Sequence, residues 1–401
     1  MSKLKRRGVL ASALLVTVAL AFAGVGAATS THKSDCTLTI GWIADMSGAY
    51  ASYQGQPIIN AATAAFDAQN AKGGVNGCKI NMKVYDTQST PAGGVAAVRK
   101  AISDKVFAVL TTSGNVDSSL QTLLASGIPG FAPGDSPSWI GTTHKTLFPY
   151  EGNLSTQNTT AWFKWCVDRG RTNIAIPAGS TPGAATYVQT WVKDTKAAGG
   201  NVVFAKAGID TSNSAAIQAL AQQLIDAKAN CVVSLVLADP QLQAALNQLA
   251  GAGKVWVVSP SAFGTGIIQQ FGSSVNGLVY ANFFASLAAH VKGVQEYLAD
   301  MKKYEPKADP ENFAVKAYAT AKWFMYNLGR VKGTPTGAAI SAVAEHTNGW
   351  SADGLVPPVY FPLFHTMGQV CLGYSQIVNG KWVAAGNNAS GFVCGKEVGS
   401  S

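Results

Sequence analysis

Charged residues are scarce in this 401-residue chain: 13% are Asp, Glu, Lys or Arg, against 47% apolar. That balance excludes an intrinsically disordered protein, which needs much charge and few apolar side chains. Dense Lys/Arg runs are missing after residue 28, so the basic stripe that nucleic acid wants is absent and no nucleic-acid partner is expected. Histidine is rare as well. His32, His144, His290, His346 and His365 are scattered, and no CxxC or Cys/His cluster occurs, so neither a structural zinc nor a cofactor is expected. The motifs GxSxG, HExxH and GxxxxGK followed by Ser or Thr are absent too, which argues against an enzyme.

What is present begins with Lys3, Lys5, Arg6 and Arg7, then an apolar run from Val9 to Ala23, then the small residues Val25, Gly26 and Ala27. This is the pattern of an export signal over residues 1–28, cleaved near Ala27 or Ala28. The run falls short of the ~20 residues that a membrane span needs. Arg6 and Arg7 also fit a twin-arginine signal, which leaves the export route open. Removing these four basic residues lowers the formal net charge from +9 to +5. The mature chain is expected in the periplasm, the cell envelope or outside the cell.

Six cysteines in an exported chain suggest up to three bridges. Cys36 precedes the strand-like TLTIGWIA and Cys78 precedes KINMKVYD, so parallel neighbouring strands would bring both sulfurs to one sheet end. Cys371 with Cys394 is a weaker pair and Cys166 with Cys231 weaker still, buried thiols being the alternative for these four.

From Thr37 the chain alternates strand, loop and helix. Strand-like segments at 37–44, 80–86, 106–112, 128–132, 173–176, 201–205, 231–237, 255–258 and 278–284 are separated by helical spacing, as at Ile58, Ile59, Ala62, Ala65 and Phe66. The rhythm breaks at FPYEGN, near Pro149 and Gly152. An α/β fold follows, with two doubly wound parallel-sheet lobes and a chain that crosses between them more than once. Asn379-Gly380 predicts a tight hairpin turn near the end. The loops after the strands read ADMSG, DTQST, TTSGN, APGDS, PAGSTPG, LADPQ and SPSAFG. Helix caps explain any one of them. Seven hydroxyl- and glycine-rich loops beyond the carboxyl ends of two sheets predict a ligand cleft.

The motifs IGWIADMSGAYASYQGQ, AKGGVNGCKINMKVYDTQSTPAGGVAAVRKAISDKVFAVL and GIPGFAPGDSPSWI resemble type I periplasmic solute-binding proteins of ABC importers, in the leucine/isoleucine/valine-binding group. The resemblance covers residues 37–396. It implies two lobes joined by a three-stranded hinge, one from 37–150 plus 285–356 and the other from 151–284 plus 357–398. It also implies carboxylate binding by Ser113, Gly114 and Asn115 and by Gly134, Asp135 and Ser136, with Tyr53 packing over the solute. The second lobe departs from the pattern: Ser180 to Gly183 replaces a tyrosine, and Pro260, Ser261, Ala262 and Phe263 stand where an acidic residue holds an ammonium. Asp239 is the candidate for that missing charge, a helix cap being its alternative. The implied partners are a small amino-acid-like solute, a branched-chain amino acid foremost, and an ABC permease, with the protein a monomer. The alternative is a secreted sensing domain that presents an amide or carboxylate ligand to a receptor.

Overall fold

The computed structural model describes residues 36–398 except 135, 152–158, 181–183, 237, 261, 262 and 312; the export signal read over 1–28 lies outside these residues. The first sheet takes β1 (Cys36–Ala44), β2 (Cys78–Asp86), β3 (Val109–Thr111), β4 (Gly130–Ala132) and β5 (Leu147–Pro149) in the parallel order β2-β1-β3-β4-β5. Alternation along the strands sends side chains to opposite faces. Ile40, Trp42, Ala44 and Leu110 join a core with the helices Gln56–Ala71 and Ala314–Arg330, while Ile43 and Val109 pack on the other face against Pro91–Ser103 and Leu120–Ser126. Thr90 caps Pro91–Ser103 by accepting from Gly93 N at 3.0 Å. Gly74, at φ +80°, lies in the loop after Gln56–Ala71, where a Cβ would stand 2.1 Å from the Cys78 carbonyl oxygen.

The second sheet holds β6 (Asn173–Gly179), β7 (Asn201–Ile209), β8 (Cys231–Val233), β9 (Trp256–Ser259) and β10 (Val279–Asn282), parallel in the order β10-β9-β8-β6-β7. A short separate pair, β11 (Asn348–Trp350) and β12 (Val359–Tyr360), comes next in the chain. The second sheet then continues beyond β10 with antiparallel β13 (Cys371–Val378) and β14 (Lys381–Ala384), and β15 (Phe392–Cys394) also pairs with β13. The expected hairpin is there: Val378 faces Lys381, with Asn379 at φ 48° and Gly380 at φ 70°.

The chain passes between the sheets after β5, after β10 and before β13. The helices Lys292–Tyr304 and Ala314–Arg330 return to the first core. Val359, Phe361 and Phe364 pack into that same core, so this segment, read from the sequence as part of the second lobe, is held by the first. All three cysteine pairs are bridged. Cys36 and Cys78 are direct register partners on β1 and β2, Cys371 and Cys394 on β13 and β15, and Cys166 reaches Cys231 on β8. No helix among the described residues is long and apolar enough to cross a membrane.

Candidate functional site

Strands β2, β1 and β3 release the chain side by side, so the residues just past their carboxyl ends share one rim. Asp45, the first residue beyond β1, is 1% exposed there. Its Oδ1 accepts from Ser113 Oγ at 2.8 Å, from Asn115 Nδ2 at 2.9 Å and from the Thr87 hydroxyl. Ser113 N donates to Thr111 Oγ1 at 3.0 Å, and Asn115 N to Ser113 Oγ at 3.2 Å. The Ser113 and Asn115 donors expected to grip a solute carboxylate are therefore turned onto a carboxylate of the protein itself.

The next loop does converge with this one. Thr112, Ser113 and Gly114 line a recess with Pro133 and Gly134 whose volume is about 10 Å³, room for about one water. Gly134 has φ +86°, and a Cβ there would stand 2.2 Å from Pro149 Cβ, so the loop can close over β5 only with glycine. Asp135 lies outside the described residues. Ser136 Oγ accepts from Ser138 N at 3.2 Å. Tyr53, 37% exposed, stands on the short helix Ala51–Gln54 with its ring 5.5 Å from Phe313 and 5.9 Å from Tyr50. Burial, then Tyr50 and the charge of Asp45, push its phenol above the usual range, so it remains a proton donor.

On the second sheet, Asp239 opens the helix Asp239–Ala250 and is 1% exposed. Ser259 Oγ donates to its Oδ2 at 2.6 Å, and burial pushes its carboxyl up to about 6 against hydrogen bonds from Ser234 and Ser259. It is not the helix cap, since Ala238 holds that position with no side-chain cap bond. Phe263 packs 4.8 Å from Tyr280 and 5.0 Å from Trp382, and with Ile268, Leu287 and Leu298 it lines an apolar cavity of about 480 Å³. Ser261 lies outside the described residues. Thr265 joins the two halves beside this cavity: its N donates to Glu311 Oε2 at 2.5 Å and its hydroxyl to the same oxygen at 3.4 Å. Thr265 begins a helix that packs on the second sheet, while Glu311 sits between helices of the first core.

The chain matches the model of the family described as Periplasmic binding protein over residues 37–379. It belongs to that family. A Leu/Ile/Val-binding protein of Rhizobium johnstonii is 38% identical over 79 residues, a match that spans 19% of this chain and about a fifth (21%) of that relative. Among solved structures, a leucine-, isoleucine-, valine-, threonine- and alanine-binding protein of Brucella ovis in a closed conformation is similar at TM-score 0.71 and 18% identity, covering 89% of this chain and 93% of its own. A fatty acid ABC transporter substrate-binding protein of Thermomonospora curvata is similar at TM-score 0.67 and 15% identity, covering 90% and 93%. This periplasmic binding protein thus shares its fold with proteins named for quite different solutes, and its own loops must supply the selectivity. Asp45, Thr87, Glu311 and Phe313 were not singled out by the sequence. A carboxylate directly after a buried strand, on a rim otherwise made of hydroxyls, was the available signal for Asp45; Glu311 and Phe313 precede a helix remote from any strand end and gave none.

Proposed function

We propose that this periplasmic binding protein is exported, captures a small amino-acid-like solute between its two lobes by hinge closure, and delivers it as a monomer to the permease of an ABC importer. The relatives named above favour a branched-chain amino acid as the first solute to try. The observation that carries the reading is a pair of sheets, each built on five parallel strands followed by hydroxyl-rich sequence, with the chain crossing three times between them. We assign solute contacts to Tyr53, Gly114, Gly134, Asp135 and Ser136 from the first lobe and to Asp239, Ser261 and Phe263 from the second, with Ser113 and Asn115 acting through Asp45, whose Oδ1 their side chains hold. A solute that touches both faces only when they are closed shifts the population toward closure, with the Thr265–Glu311 bond as one of the contacts made across the gap. The three bridges suit an oxidising compartment. Thermal denaturation of the mature protein with leucine, isoleucine, valine, short carboxylates and sugars tests the reading. A true solute at a hundredfold excess over its Kd adds about 2.7 kcal/mol of stability. A flat melting point across the amino acids would remove them from consideration.

A further inference from the structure

Asp45 carries a feature that solute capture as such does not explain. All three of its hydrogen bonds converge on Oδ1, and Oδ2, equally buried, has no partner. Two further orphans stand nearby in the chain's arrangement. Gln54 Oε1, on the short helix whose Tyr53 feels the Asp45 charge, is buried without a partner. Thr112 Oγ1, beyond β3, is the other; β3 pairs directly with β1 through Ile43 and Thr111. A buried carboxylate oxygen without a donor is costly, and native proteins keep such groups where something else supplies the donor. No cation of the protein pairs with Asp45 among the described residues. Two of the three orphans, Asp45 Oδ2 and Gln54 Oε1, can only accept, so what meets them must donate.

We infer that the first lobe receives a hydrogen-bond donor of the solute, an ammonium or a carboxamide N–H, on Asp45 Oδ2, with Gln54 Oε1 as the second acceptor. This rests on the solute-capture reading and deepens it. The solute lies with its donor toward the first lobe, and a solute whose polar end is only a carboxylate is repelled by Asp45. The arrangement also fits a second lobe that presents Phe263 and an apolar cavity at the motif where an ammonium-holding carboxylate was expected, and whose own buried carboxylate, Asp239, already accepts from Ser259. The apolar end of the solute faces that side.

Four probes of one size separate the cases: leucine, leucinamide, isocaproamide and isocaproate, titrated calorimetrically into the full mature chain. The first three should bind and isocaproate should bind at least tenfold more weakly than isocaproamide. In Asp45→Asn the Oδ1 acceptor is kept while a donor replaces Oδ2, so the preference between isocaproamide and isocaproate should reverse, with circular dichroism and melting point confirming the fold. Isocaproate bound as tightly as isocaproamide by the wild type overturns the Asp45 assignment and leaves solute capture standing. Isocaproate weaker in both proteins alike also overturns it. Absence of binding by all four overturns capture of amino-acid-like solutes and the Asp45 assignment together.

Discussion

Lys316 Nζ and a carboxylate oxygen of Glu151 lie 3.0 Å apart with their side chains 4% and 1% exposed. Lys316 belongs to the helix Ala314–Arg330 of the first core, and Glu151 is the second residue past β5, where the chain leaves that sheet. The Tyr150 hydroxyl adds a hydrogen bond to the Lys316 carbonyl at 2.9 Å, so the first crossing is anchored at two successive residues. Breaking a buried pair strands a charge, at a cost of about 3–5 kcal/mol, whereas replacing both partners with neutral groups of similar size costs far less. Glu151→Gln and Lys316→Met should each lower the denaturant midpoint strongly. The double variant Glu151→Gln/Lys316→Met should recover much of the loss, and equal losses in single and double variants would argue against the pairing.

Asp194, on the helix Ala184–Ala197, is 0% exposed, and its burial outweighs the Thr159 N–H and the Lys193 charge to push its carboxyl up to about 7. A carboxyl raised in the folded state gives stability that is complete below the unfolded pKa, near 4, and is lost as pH rises through about 7. Asp194→Asn removes that dependence. Its melting point should match the wild type at pH 4 and exceed it at pH 8, by about 1–3 kcal/mol in stability. A constant difference between the two proteins from pH 4 to pH 8 would contradict the assignment.

Glu311→Ala removes the acceptor for Thr265 N and its hydroxyl, a contact that joins the two halves beside the apolar cavity. A hydrogen bond to a charged group contributes about 1.5–3 kcal/mol. If the bond forms only on closure, the solute should leave the variant roughly tenfold faster or more while the thermal stability of the solute-free protein hardly changes. Stopped-flow release measures the first and calorimetry the second. A lowered melting point with an unaltered release rate would make the contact structural.

Tyr53→Ala deletes the exposed ring that stacks toward Phe313 at the rim. Aromatic contacts of this size are worth about 0.5–1.5 kcal/mol beyond their buried area, so a roughly tenfold rise in Kd is expected for any solute that fits. Tyr53→Phe should keep most of the affinity, because the face of the ring and not the hydroxyl carries the contact.

The alternation of strands and helices was legible because each β-branched run and each helical stripe reports its own burial. Cys36 and Cys78 could even be paired from their common distance to the start of two strands, and register partnership is what joins them. Strand β5 escaped notice: Leu147–Pro149 is three residues ending in proline, too short for a period to show. The helix Thr265–Phe271 escaped for a similar reason, at seven residues with no buried side chain. At the rim, residue types were readable and their direction was not. Ser113 and Asn115 look outward-facing as a string of letters, and only the fold reveals that Asp45, 68 and 70 positions earlier, claims their donors.

The border strands of the two sheets have a bearing on how the chain survives at high concentration. At one border β2 carries the exposed Lys79 and Lys83, and at the other β5 ends in Pro149, which has no N–H to offer a neighbour. The outer strands of the larger sheet repeat the device with Lys206 on β7, beside an irregular register, and Lys381 on β14. A second molecule approaching edge to edge at these four strands meets exposed lysines or a missing donor, features that disfavour strand-to-strand association.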